Sequence, residues 1–390
     1  MKQKHSHFLI PGILLLGIVL RAPFTTLSTV LSDIASGLGV EVSSLGLLTS
    51  LPLLTFAIFS PFAASWAKRF GIERLFLGVL IVMTLGSALR TVSLPLLYVG
   101  TFLIGAGIAF LNVLLPSLIQ ANEPKRIGFL STLYLTAMGL ATAVASSVAV
   151  PITKATSWQG LIWVLTAICV LALVVWIPNV RHNHYLEKDT STSESTESWY
   201  KSSKVWAIMI FGGIQSFFFY TAVTWLPTMA TQAGVSEANA GILASVFTLT
   251  SIPFSMIVPS LITKLSDRNR HLMLVVTVLA GVVGVAMLLG STNSFVYWLI
   301  LNLLIGSSTS VLFPYLLVIF SLKSSTPEKT AQLSGLAQTG GYIFAALGPV
   351  LFGSSQQLFN SWTPAVLILL VLTLIMGIAL YKVEKTDVIL

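Results

Sequence analysis

Arg21 has the chemistry to hold a ligand in an otherwise greasy setting. Residues 8–20 carry no charge, Arg21-Ala22-Pro23 interrupts them, and apolar and hydroxyl residues resume through Leu31. An arginine near a helix centre in lipid costs about 2.5–3.5 kcal/mol even on the lenient insertion scale, so such residues face a bundle interior or a water-filled cavity. The planar guanidinium fork suits a small anion or a polarised nitro group. Two residues on, Pro23 removes the helix bond to the carbonyl of Val19, which predicts a polar kink beside the charge. The structural alternative is that Arg21 only pairs with a carbonyl or with Asp33. Arg90, late in the third apolar run, is expected to snorkel to the outer rim instead.

The remaining polar groups in apolar runs are neutral. Asn112, Gln215 and Gln338 are amides that need partners when removed from water, either a solute or a neighbouring helix. Tyr134, Tyr220, Trp225 and Tyr342 are suited to wall a small cavity or stack on a flat solute, with aromatic packing as the alternative. None of the 13 acids lies deep in an apolar run, and the five histidines fall in or beside polar segments. A carboxylate relay is therefore absent, and proton coupling would fall to Asp33, Glu237 or the solute itself. His182 and His184 read as a solvated loop pair. The single cysteine, Cys169, reads as a small buried hydrophobe. No GxxxxGK[ST] loop, catalytic triad or metal-ligand cluster occurs, so neither an enzyme nor a cofactor is expected.

These side chains must be positioned by membrane-spanning helices. The chain is 55% hydrophobic and only 9% charged, with a mean hydropathy of +0.91, far from the composition of soluble domains. Windows of about 20 residues give twelve spans near 8–31, 44–66, 75–94, 96–120, 127–151, 158–178, 204–230, 238–263, 271–290, 294–322, 330–353 and 361–381. The first lacks a small-x-small cleavage site and reads as a retained helix. With both termini cytoplasmic, 18 of the 21 Lys and Arg fall in cytoplasmic segments, which satisfies the positive-inside rule. The basic balance thus follows from topology and a lipid bilayer, and nucleic-acid binding is not expected.

Residues 179–203 form the one long polar stretch, rich in Ser, Thr and Glu, and read as a flexible cytoplasmic linker. The expected organisation is a six-helix bundle over 1–178, the linker 179–203, and a second six-helix bundle over 204–390. Weak repetition supports duplication. Gly46-Leu47-Leu48-Thr49-Ser50 echoes Gly241-Ile242-Leu243-Ala244-Ser245, and Asn112-Val113-Leu114-Leu115-Pro116 echoes Ser310-Val311-Leu312-Phe313-Pro314. Two such halves are the plan of secondary transporters.

Several stretches together carry a family likeness: Leu20-Arg21-Ala22-Pro23-Phe24, Gly46 to Pro52, Arg69 to Arg74, Asn112 to Pro116, Gln215 with Phe219-Tyr220 and Trp225-Leu226-Pro227, Ser334 to Gln338 with Gly341-Tyr342, and Ser361 to Pro364. In these the chain resembles the major facilitator superfamily, and within it the cyanate permease and 2-nitroimidazole transporter family. The resemblance implies an all-α membrane protein of twelve helices in two pseudo-symmetric bundles, a monomer in a bacterial cell membrane. A small-molecule substrate would bind between the halves by alternating access. It implies cyanate-like anions or nitroimidazole-like compounds, and the side chains expected from their own chemistry to bind such a solute are Arg21, Asn112, Tyr134, Gln215, Tyr220, Trp225, Gln338 and Tyr342. Lys68, Arg69, Gly71, Asp267 and Arg268 would serve conformational gating.

Two departures from the wider superfamily stand out. Lys68-Arg69-Phe70-Gly71 replaces Asp-Arg-x-Gly after span two, so the acid that helps hold the outward-facing state is missing, and Asp267-Arg268 in the corresponding second-half loop is expected to supply part of that interlock. Span five lacks the Gly-Pro signature of many drug/proton antiporters, while Gly348-Pro349 occurs in span eleven. A multidrug exporter, a lipid-linked exporter and a non-transporting membrane sensor remain the alternatives.

Overall fold

The computed structural model describes residues 6–40, 45, 47–186, 202–290 and 292–389. Glu41, Gly46 and the linker residues 187–201, all used above, lie outside the described residues. Fifteen α-helices follow in chain order: α1 (Leu9–Val19), α2 (Ala22–Thr25), α3 (Leu31–Leu38), α4 (Leu47–Phe59), α5 (Ala63–Phe70), α6 (Ile72–Leu89), α7 (Leu94–Asn122), α8 (Ile127–Ala155) and α9 (Trp158–Trp176), then α10 (Ser203–Gln232), α11 (Glu237–Lys264), α12 (Asp267–Met287), α13 (Phe295–Leu322), α14 (Pro327–Phe359) and α15 (Thr363–Lys385). Short 3₁₀ turns join several of them, and no strand occurs among the described residues.

Ten of the helical segments are long and apolar enough to cross a bilayer. The first two expected spans differ, because each is broken. Span one is α1, α2, a 3₁₀ turn over Leu27–Val30, and α3, whereas span two is α4, a 3₁₀ turn over Ser60–Phe62, and α5. Proline is the cause where it opens a new helical segment. Pro23 and Pro61 sit in the first two positions of theirs, where a missing N–H costs nothing. Pro52, Pro116, Pro227, Pro314 and Pro349 stay inside continuous helices. In such helices the freed carbonyls must find other donors.

The chain divides into two compact units. One comprises 1–190 with 326–335, and the other comprises 191–325 with 336–390. Within the first unit α4 and α6 both pack on α7, and α1 and α6 both pack on α9. Within the second the same four pairings recur, as α11 and α12 on α13 and α10 and α12 on α15. That recurrence is the physical content of the weak internal repeat.

Small residues let these helices approach, as is usual where lipid tails offer no hydrophobic driving force. A methyl group on Gly100 of α7 would stand 2.2 Å from the Gly86 carbonyl of α6. One on Gly17 of α1 would stand 2.5 Å from the Tyr134 carbonyl of α8. Several hydroxyls are satisfied locally: Thr84, Thr101, Thr166, Thr277 and Thr373 each donate to the carbonyl four residues back, at 2.7–2.8 Å. Ser87 and Thr166 also link α6 to α9 at 2.7 Å. Cys169 is fully buried on α9, as the sequence suggested.

Candidate functional site

The break in the first span is built from three consecutive carbonyls. The carbonyl of Arg21 accepts the Phe24 and Thr25 amides at 3.0 and 2.9 Å, and the Thr25 hydroxyl at 3.1 Å. The carbonyl of Ala22 accepts the Thr26 hydroxyl at 2.6 Å. The carbonyl of Pro23 accepts the Arg90 Nη1 at 2.8 Å. Side chains thus supply donors where the helix cannot.

Arg21 stands at the N-cap of α2 with φ −124° and ψ −53°, and its amide makes a tight bond to the Ile18 carbonyl at 3.2 Å. The side chain is half-buried while its neighbours Ala22 and Pro23 are buried. Among the described residues neither Asp33 nor any carbonyl holds the guanidinium. The kink predicted from Pro23 is present, and this cation stands there without a partner among the described residues.

Arg90 corrects the sequence reading. It does not snorkel: its relative exposure is 0%. Nη1 reaches Pro23, while Nε and Nη2 have no partner among the described residues. The inward route exists because Gly86 lies four residues earlier on the same face of α6, against Gly100 of α7. A methyl at Gly100 would stand only 2.8 Å from the Arg90 Cγ. A glycine one turn before an arginine was the available signal, since it marks a face turned into a close helix contact. Arg21 is therefore not the deepest cation.

The other residues singled out fall in varied settings. Asn112 is half-buried on α7, whereas Tyr134 on α8 is only 2% exposed and packed in the core of the first unit. In the second unit Gln215 is buried and donates from α10 to the Thr309 carbonyl of α13 at 3.4 Å, the interhelical role rather than an open donor. Tyr220 is half-buried and makes an edge contact with Phe219 at 5.3 Å between centroids. Trp225 donates Nε1 to the Pro349 carbonyl at 2.9 Å and packs on Trp362 at 5.1 Å. It also borders a small apolar cavity with Phe218, Met229 and Phe352. Tyr342 donates to Gln338 at 3.4 Å along α14.

A second cluster surrounds the loop after span two. Gly71 caps α5 at φ +80° and ψ 158°, a conformation open to glycine and strained for other residues. Asn183 fills the space beside it, donating to the Phe70 carbonyl at 3.0 Å and accepting the Arg74 amide at 3.1 Å. Next to it Glu73 is 1% exposed. Its Oε1 accepts the Asn122 amide group at 3.0 Å and the His184 Nδ1 at 2.6 Å, and its Oε2 accepts the His184 backbone N–H at 2.6 Å. Trp176 donates to the Glu73 carbonyl at 2.9 Å.

Residues 179–186 are thus docked, not part of a flexible stretch, and His184 is a bound partner, not a solvated loop residue. The hydrogen bond that His184 gives to Glu73 raises the imidazole pKa above its ordinary value; burial opposes this, and the Glu73 charge and a bond to His182 assist.

Lys68 pairs with Glu328, which is buried in the first turn of α14, in the part of that helix belonging to the first unit. Ser117 donates to the Pro327 carbonyl at 2.5 Å, and Thr330 donates to Gln120. Arg69 is exposed and lies over the Phe70 ring at 5.3 Å. The expected Asp267–Arg268 substitute takes another form. Both side chains are exposed, and Asp267 pairs with Arg270 at 2.9 Å. Arg270 also binds Glu384 of α15 at 2.5 Å. Each unit therefore ties the start of its third span to the end of its sixth, with opposite polarity. No three His, Cys, Asp or Glu side chains come together as metal ligands among the described residues.

Comparison with known proteins adds to this geometry. The family model described as Major Facilitator Superfamily matches residues 13–349 and 234–388. An uncharacterized transporter of Bacillus subtilis strain 168, YycB, is 35% identical over 386 residues, covering 97% of this chain and 94% of the relative. The 2-nitroimidazole transporter of Escherichia coli K12 is 33% identical over 377 residues, covering 96% and 95%. Among solved structures, the proton:xylose symporter XylE bound to 6-bromo-6-deoxy-D-glucose matches with a TM-score of 0.78 at 12% identity, covering 97% of both chains. At that identity the likeness speaks to fold alone.

Proposed function

The chain belongs to the Major Facilitator Superfamily of multi-pass membrane transporters, and from that premise we propose that it carries a small anion or compact polar organic solute by alternating access. The observation that carries the solute class is Arg21, a half-buried cation at a helix break with no protein partner among the described residues. A guanidinium fork in a low-dielectric surround favours a carboxylate-like, cyanate-like or nitro-bearing solute over a cationic dye. Asn112, half-buried in the same unit, supplies a second polar contact, and the name of the Escherichia coli relative points to nitroimidazoles.

The proposed setting is a bacterial cell membrane, with the chain monomeric and both termini cytoplasmic. The Lys and Arg distribution supports that orientation. The two helical halves, 1–178 and 204–390, are joined through residues 179–203, of which 179–186 are docked on the first unit. Uptake into proteoliposomes tests the solute class, with a panel of cyanate, small carboxylates, 2-nitroimidazole and cationic dyes. Transport of dyes alone would overturn it.

A further inference from the structure

We propose that Arg90, the C-cap residue of α6, is a positioning and specificity residue for the solute held at Arg21 in the broken first span. The proposal rests on the solute class given above and goes beyond it. Arg90 reaches the break from α6 and gives Nη1 to the Pro23 carbonyl at 2.8 Å, two residues from Arg21. Pro23 lies in the first turn of α2, whose N-cap is Arg21, so this bond fixes the segment that presents the Arg21 side chain.

The type of residue at position 90 says more than the bond does. A neutral amide could serve one carbonyl without burying a charge. The chain instead buries a whole guanidinium at 0% exposure, leaving Nε and Nη2 without partners among the described residues. Unpaired buried charge is among the costliest features a fold can retain. It is retained through a helix contact narrowed by Gly86 and Gly100, which clears the path for its stem. A fixed positive charge in a low-dielectric site strengthens the field felt by an anion far more than the same charge would in water. Arg90 thus acts twice on one place: through Pro23 on the shape of the break, and through its charge on what the break attracts.

The test separates those actions in proteoliposomes loaded with purified full-length chain. Arg90→Gln keeps a donor for Pro23 and removes the charge, while Arg90→Lys keeps both. With cyanate as the anionic probe and 1-methyl-2-nitroimidazole, which has no acidic N–H, as the neutral one, Arg90→Gln is expected to raise the KM for cyanate at least about tenfold more than for the nitroimidazole, with Arg90→Lys recovering most of the loss. Equal losses for the two probes, or a wild-type KM for cyanate in Arg90→Gln, overturn the specificity role.

A second arm does not depend on transport. In a Cys169→Ala background, an Arg21→Cys thiol is labelled with a membrane-permeant maleimide, with and without Arg90→Ala. A labelling rate changed about tenfold or more by Arg90→Ala is expected, as in other tests of local opening, and an unchanged rate overturns the positioning role. If Arg21→Ala itself leaves cyanate uptake intact, the solute reading fails, and the labelling arm still decides whether Arg90 shapes the break.

Discussion

Replacing Glu73 by Gln removes one charge from a site where shape barely changes, so the loss can be worked from the hydrogen bonds. The carboxylate accepts three donors, Asn122 Nδ2, His184 Nδ1 and the His184 N–H, at 2.6–3.0 Å. A glutamine keeps one acceptor oxygen and turns an NH₂ group towards donors, so at least one of the two sides is broken. Hydrogen bonds to a charged group are each worth about 1.5–3 kcal/mol, and stripping one partner from a buried pair costs about 3–5 kcal/mol. Because the His184 side chain is 27% exposed, solvent screens part of this, and a loss of about 2–4 kcal/mol is expected.

The pH dependence has a definite sign. Glu73 raises the His184 pKa above 6.5, so the stability that His184 contributes is fully present below about pH 6.5 and fades as pH rises through the raised value. Cys169 is the sole cysteine and is fully buried, so its reaction with a fluorogenic maleimide reports unfolding in an SDS titration. A double-mutant cycle of Glu73→Gln with His184→Gln should give a coupling of about 1–3 kcal/mol at pH 6 that shrinks by pH 9. A coupling that is zero at pH 6, or that grows with pH, would refute the reasoning.

Other outcomes follow from the same loop. Gly71→Ala forces a side chain into φ +80° and against Asn183, and the same unfolding assay should show a loss of at least about 1–3 kcal/mol. Lys68→Glu sets two carboxylates against each other at Glu328 and should depress proteoliposome uptake. The double swap with Glu328→Lys should restore it only in part, because the exchanged lysine would sit at the positive end of α14; no recovery at all would dissociate the pair from transport.

The legible features were local ones. The break at Pro23, the burial of Cys169 and the duplicated helix plan each follow from a few neighbouring residues or from the spacing of apolar runs. What escaped depends on residues distant in sequence. Arg90 points inward because Gly100 on the next helix makes room, so its position near the end of a span misled. His184 looked like part of a polar linker because its partner, Glu73, precedes it by 111 residues. Lys68, standing where an acid was expected after span two, pairs with Glu328 some 260 residues further on, which inspection of the loop alone could not reveal. Composition located the apolar helices, while pairing required the fold.

Arg21 carries the central claim, and its removal tests it most directly. Initial rates of cyanate and 2-nitroimidazole uptake should be compared for wild type, Arg21→Lys and Arg21→Ala in proteoliposomes of matched protein content. Losing a charged contact to the solute should cost about 2–3 kcal/mol of binding, a rise in KM of roughly 30- to 150-fold for Arg21→Ala. Arg21→Lys should fall between, because it keeps the charge but loses the fork. Wild-type uptake of both solutes by Arg21→Ala would contradict the assignment.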